Sequence, residues 1–187
     1  MSLLKGLTVL ALCASPAAWS EAVTYALDAE GSELRFIGLQ QGAPFTGRFE
    51  TFSTEVVFDR EAPSAGRIDA EVDVRSADSR NRDRDEYMQA RDFFYSRKYP
   101  KAIFETVAIA AADEGYLARA KLTLRGETRE VTMRFTLNPQ DAQRATLTGT
   151  VLLNRLDFGV GQGEWRSTSE IGDEVKVEIE LALKAIG

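Results

Sequence analysis

Any chemistry in this 187-residue chain would have to come from carboxylates, arginines, lysines and hydroxyls, because it has no histidine and its one cysteine, Cys13, lies in the opening apolar run. Histidine is the usual proton shuttle near neutral pH and the commonest metal ligand. Its absence excludes Ser-His and Cys-His nucleophiles together with His-ligated zinc or copper. What remains is a carboxylate pair, a Ser-Lys pair, or a calcium or magnesium site built from oxygens. The carboxylate pairs on offer are Asp157 with Glu164 and Asp173 with Glu174, and their spacing does not set either apart in a chain rich in acids. The run Gly159-Val160-Gly161-Gln162-Gly163-Glu164-Trp165 has the glycine density of a phosphate cradle. No Lys-Ser/Thr follows it, so the Walker reading fails, and the run reads as a rim loop that folds Trp165 over one end of the domain. The expectation is a binding protein with no catalytic residue, no metal and no cofactor.

The elements that would build such a binder are strands. Val175, Val177, Ile179, Leu181 and Leu183 alternate with Lys176, Glu178, Glu180 and Lys184; Ile68, Ala70, Val72 and Val74 alternate with Asp69, Glu71, Asp73 and Arg75. Period two gives each strand one wet and one buried face. The same reading covers residues 131–137 and predicts strands at 23–27, 33–40, 46–52, 55–59, 103–111, 116–124 and 145–154. Turn residues at Asp113-Glu114-Gly115 and Arg125-Gly126 imply antiparallel hairpins. Strands apolar on one side only, in this number, predict a closed antiparallel barrel or a sandwich. The exception is 81–90, rich in charge and helix formers, with Asn81 or Asp83 as N-cap. It predicts a short helix leading into an aromatic loop across the barrel mouth, ended by Pro100.

Residues 1–20 carry Lys5, a short apolar run and an Ala-x-Ser exit, the pattern of a secretory signal cleaved after Ser20. The apolar run is far shorter than the roughly twenty residues that span a bilayer. Leu12 before Cys13 argues against lipid attachment there. Removing this leader takes Lys5 and no acid, leaving 22 Lys and Arg against 29 Asp and Glu. An acidic surface disfavours nucleic acid and anionic headgroups as partners. What is left, residues 21–187, suits one domain with one core.

Several segments, in order, resemble the YceI-like family of polyisoprenoid-binding proteins: Ser76-Ala77-Asp78-Ser79, Arg82-Asp83, Asp92-Phe93-Phe94, 99–105, 122–131, 154–160 and 172–177, with Gly47-Arg48-Phe49 through Phe58-Asp59 at the front. The likeness spans about 23–185. It implies a lipocalin-like barrel of about eight strands, exported to the periplasm, that holds a long isoprenoid chain such as a quinone tail. Where many members carry a histidine near the first strand, this chain has Gly31-Ser32. The alternating charges of Arg82, Asp83, Arg84, Asp85 and Glu86 read most simply as a solvated helix face; the alternative, which the family's recurring Arg-Asp implies, is that Arg82 or Asp83 turns inward at the mouth, beside Phe93, Phe94 and Trp165.

An eight-stranded barrel is just wide enough to be filled with side chains or to hold one slender ligand. The candidates to line such a lumen are Leu34, Phe36, Phe45, Phe49, Phe58, Phe104, Leu122, Leu124, Met133, Phe135, Val151, Leu153 and Phe158. The competing expectation is a scaffold barrel with a filled core and no ligand. A homodimer through an exposed strand edge is compatible with either.

Overall fold

Strands form where inward apolar side chains alternate with charged ones. In the computed structural model, which describes residues 22–186, they are β1 (Val23–Gln40), β2 (Ala43–Phe49), β3 (Phe52–Phe58), β4 (Arg67–Asp73), β5 (Ala77–Asp78), β6 (Lys101–Ala111), β7 (Tyr116–Leu124), β8 (Glu127–Pro139), β9 (Arg144–Asn154) and β10 (Glu174–Ala185), with a helix α1 (Arg82–Gln89). The predicted leader, 1–20, and Cys13 within it lie outside the described residues. Antiparallel pairing runs β1–β10–β9–β8–β7–β6–β4–β3 and returns to β1, closing an eight-stranded barrel. Closure gives these strands partners on both sides and removes the exposed edge on which chains aggregate.

The segments 23–27 and 33–40, predicted as two strands, are one strand with a bulge. The β1–β10 register slips between Asp28 and Glu33, and Gly31 takes φ +90° there. Ser32 repairs the interrupted ladder: its hydroxyl donates to the Asp28 carbonyl at 2.6 Å and accepts from Ala182 N at 2.9 Å. The bend lets the first part of β1 close on β3 and the second pair with β2. Conversely, the single strand predicted over 46–52 is two, because the chain turns at Glu50-Thr51, where the inward positions shift from odd (Phe45, Phe49) to even (Phe52, Thr54). The hairpin turns Gln41-Gly42 and Arg125-Gly126 place both residues at positive φ, 52° and 76°, 54° and 80°, the geometry that matches strand twist.

The barrel is solid at one end and hollow at the other. Tyr25, Val56, Phe58, Ile109, Ala118, Phe135, Leu137, Ala145 and Leu183 pack as a buried core at the end where β1 begins and β10 finishes. Phe58, Tyr116 and Phe135 form a ring triangle there, with centroids 4.8, 5.3 and 5.9 Å apart. Phe135 pairs across the ladder with Gly149. Toward the other end the inward residues of the same strands line open space.

Candidate functional site

A cavity of about 470 Å³ occupies the open half of the barrel. Its boundary falls partway along the strands: Thr54 lines it and Val56 does not, Met133 does and Phe135 does not, Leu181 does and Leu183 does not. Of the predicted lining residues, Leu34, Phe36, Phe45, Phe49, Phe104, Leu122, Leu124, Met133, Val151, Leu153 and Phe158 face it. Phe58 and Phe135 do not. They belong to the ring triangle beneath the floor, because alternation tells which face a residue takes but not how far along the barrel it sits.

Two glycines keep the wall flat. Phe36 faces Gly47 and Gly38 faces Phe45 across the β1–β2 ladder. A Cβ at Gly47 would stand 2.2 Å from Phe36 Cζ, and one at Gly38 2.9 Å from Phe45 Cε1. Each ring thus lies on bare backbone instead of projecting into the lumen, and Phe36 packs on Phe49 at 5.1 Å.

The mouth is covered by α1 and the loop after it. Asn81 caps the helix, its side chain accepting from Arg84 N at 3.0 Å. Asp85 ties the helix to Ser79, accepting from its backbone N at 2.8 Å and its hydroxyl at 2.6 Å. Met88 is buried against Phe36, Phe45, Phe49 and Phe94. The aromatic loop is clamped from two sides: Arg125 donates to the carbonyls of Phe93 and Arg91 at 2.6 and 2.8 Å, and the backbone amides of Gly161 and Gln162 both donate to the Asp92 carbonyl at 2.8 Å. Trp165 meets Tyr87 and Phe93, each at 5.6 Å between centroids, bridging the rim loop and the lid.

Of the mouth residues predicted, Asp83, Phe93, Phe94 and Trp165 line the cavity and Arg82 does not. Arg82 is 89% exposed and pairs with Glu86 one turn along. The cation that faces inward is Arg84. Its guanidinium lies 4.3 Å over the Phe45 ring and donates to Gln40 Oε1 at 3.1 Å. Helical spacing carried this signal, since Asn81, Arg84 and Met88 share a face that Arg82 does not. Neither carboxylate pair, Asp157 with Glu164 or Asp173 with Glu174, borders the cavity.

Arg155 was not singled out by the sequence. It lines the cavity although only 5% exposed. It donates to the carbonyls of Gly172 (2.9 Å), Val160 (2.8 Å), Ile171 (2.8 Å) and Ser167 (3.4 Å), so one guanidinium fixes both ends of the rim loop. Burial pushes its pKa down from the ordinary arginine value, with Asp173 acting the other way. Thr54, polar but on the wall, has its hydroxyl engaged by the Asp69 carbonyl at 2.8 Å. The lumen is thus apolar in its depth and polar only at the rim.

The sequence profile of the YceI-like domain matches residues 25–183. The chain belongs to this family. A UPF0312 protein of Pseudomonas aeruginosa is 29% identical over 93% of this chain and 96% of its own length. Among solved structures, BcnA of Burkholderia cenocepacia superposes with TM-score 0.79 and 32% identity, over 83% of this chain and 98% of that one. A polyisoprenoid binding domain from Saccharophagus degradans superposes at TM-score 0.67 and 19% identity, over 88% and 99% respectively, and shares the fold. Among the described residues of this YceI-like chain, no helix is long and apolar enough to cross a membrane.

Proposed function

We propose that the protein binds a polyisoprenoid lipid, such as an isoprenoid quinone, in the barrel lumen, with its tail toward the floor and its headgroup at the mouth, and that it stores or carries the lipid through the periplasm without catalysing a reaction. The observation that carries this reading is the shape and polarity of the cavity: blind, walled by aliphatic and aromatic side chains, with Asn81, Asp83 and Arg84 confined to the opening. The description of the Saccharophagus structure as polyisoprenoid binding supports it. The leader pattern of residues 1–20 supports export. The lipid is a ligand here and no catalytic cofactor is invoked.

Burial of one CH₂ contributes about 0.8 kcal/mol, whereas a net hydrogen bond contributes about 1 kcal/mol. The tail therefore supplies affinity and the rim selects the headgroup. Trp165 reports on the mouth. In a Trp19→Phe variant it is the sole tryptophan, and an isoprenoid quinone is expected to quench its fluorescence saturably. A tailless quinone of the same headgroup is expected to quench only by collision. Identical, non-saturating quenching by both would overturn the reading.

A further inference from the structure

We infer that the ring triangle of Phe58, Tyr116 and Phe135 is a chain-length gauge, which stops a prenyl tail at a fixed depth and so sets how many isoprene units the protein can reward with affinity. The inference rests on the lipid-binding reading above and adds the residues that decide which tail is held best.

Two observations converge on it. The cavity ends partway along β3, β8 and β10, with Thr54, Met133 and Leu181 on its wall and the next inward residues Val56, Phe135 and Leu183 buried beyond it. The deep end of the lumen is walled by Ile68, Met133, Leu147 and Leu181, and these pack in one buried cluster with Phe58 and Phe135, which are 3% and 1% exposed and both contact Tyr116. Close-packed aromatic rings yield little to an incoming chain, because interiors of this density have no free volume into which a ring can retreat. A tail that reaches the triangle must therefore stop, leaving any further units at the mouth, where water already meets them.

The volume bounds the length: a lumen of about 470 Å³ takes a limited number of isoprene units before the tail meets the floor. Up to that length each unit should raise affinity by roughly tenfold or more, the transfer gain less the cost of ordering the chain. Beyond it, added units should change affinity by less than about twofold, since they bury nothing new. Chain ordering alone would round off the gain gradually. A floor makes the break abrupt and lets side chains move it.

The test measures dissociation constants for isoprenoid quinones that share one headgroup and differ only in tail length, in the natural sequence and two variants. Phe135→Leu opens the floor and is expected to shift the break toward longer tails; Ala70→Leu, on the wall above the floor, shortens the lumen and is expected to shift it toward shorter ones. Far-ultraviolet circular dichroism confirms that each variant is folded, and the lumen-side Ala70→Leu leaves the triangle intact should Phe135→Leu unfold. Breaks that move in opposite directions support the gauge. A folded variant of either kind whose break stays at the natural length overturns it. If the natural sequence binds none of the series, the lipid reading itself fails, a result distinguishable from an unmoved break.

Discussion

Replacing Arg155 by Met tests the claim that a buried cation organises the rim. Methionine matches the arginine stem in length and apolar character, so the wall keeps its packing while the rim loop loses three good hydrogen bonds, to Gly172, Val160 and Ile171, and the longer one to Ser167. A hydrogen bond to a charged donor contributes about 1.5–3 kcal/mol, and a buried carbonyl left without a partner costs about 1–3 kcal/mol. Three such carbonyls give a loss of roughly 3–9 kcal/mol, and water reaching the rim reduces it toward about 3–4 kcal/mol. For a domain of this size each kcal/mol moves the midpoint by about 2–4 °C, so melting followed by circular dichroism should fall by roughly 10 °C. Arg155→Lys should fall nearly as far, because a compact ammonium cannot span carbonyls arranged around a planar fork. A methionine variant within about 0.5 kcal/mol of the natural protein, the ordinary surface range, would refute the clasp.

Three further outcomes follow from the same contacts. Gly47→Ala must displace the Phe36 ring, whose tip would stand 2.2 Å from the new Cβ, so urea unfolding should show a loss of about 1–3 kcal/mol from overpacking and quinone affinity should drop as the ring turns into the lumen. Arg82→Ala removes only an exposed pair with Glu86, worth about 0.3–0.5 kcal/mol, and should leave quinone affinity unchanged, whereas Arg84→Ala should weaken it. Stability should be flat across neutral pH, because the chain has no histidine, and should fall in acid. Asp73, held down by its hydrogen bond from Arg75, Glu178, held down by Lys176, and Asp141, held down by the backbone amide of Gln143, all have lowered pKa values. A lowered carboxylate stabilises the fold above its unfolded value, near 4, and that contribution disappears as pH drops through the folded value; a melting temperature that rose on acidification would contradict this.

The barrel is legible because alternation is a local signal: β10 and β4 can be read residue by residue, and Asn81 or Asp83 as N-cap announces the helix, the cap being Asn81. Less legible were features fixed by distant partners. The bulge at Gly31-Ser32 depends on Ala182 across the ladder. The turn at Glu50-Thr51 is marked only by a three-residue step from Phe49 to Phe52 and carries no Gly or Pro; its two amides are satisfied by Ser76. In the candidate site, the inward face of each strand could be read, yet height along the barrel could not, which is why Phe58 and Phe135 were grouped with true lining residues. The family's Arg-Asp pair points to Arg82 or Asp83 at the mouth; Asp83 lines it, Arg82 lies on the solvated face, and Arg84 is the helix cation at the cavity. Arg155 gave no sequence signal, because its partners are backbone carbonyls, which no side-chain pattern encodes.

The central claim is that the hollow half of this barrel holds a prenyl lipid. The most direct test is mass spectrometry of an organic extract of the protein purified from the periplasm of cells that make isoprenoid quinones, alongside a variant whose lumen is filled by Ala70→Phe and Thr54→Leu. The account predicts a prenyl lipid near one equivalent in the natural protein and its loss from the filled one. A prenyl lipid absent from both, or present equally in both, would contradict it.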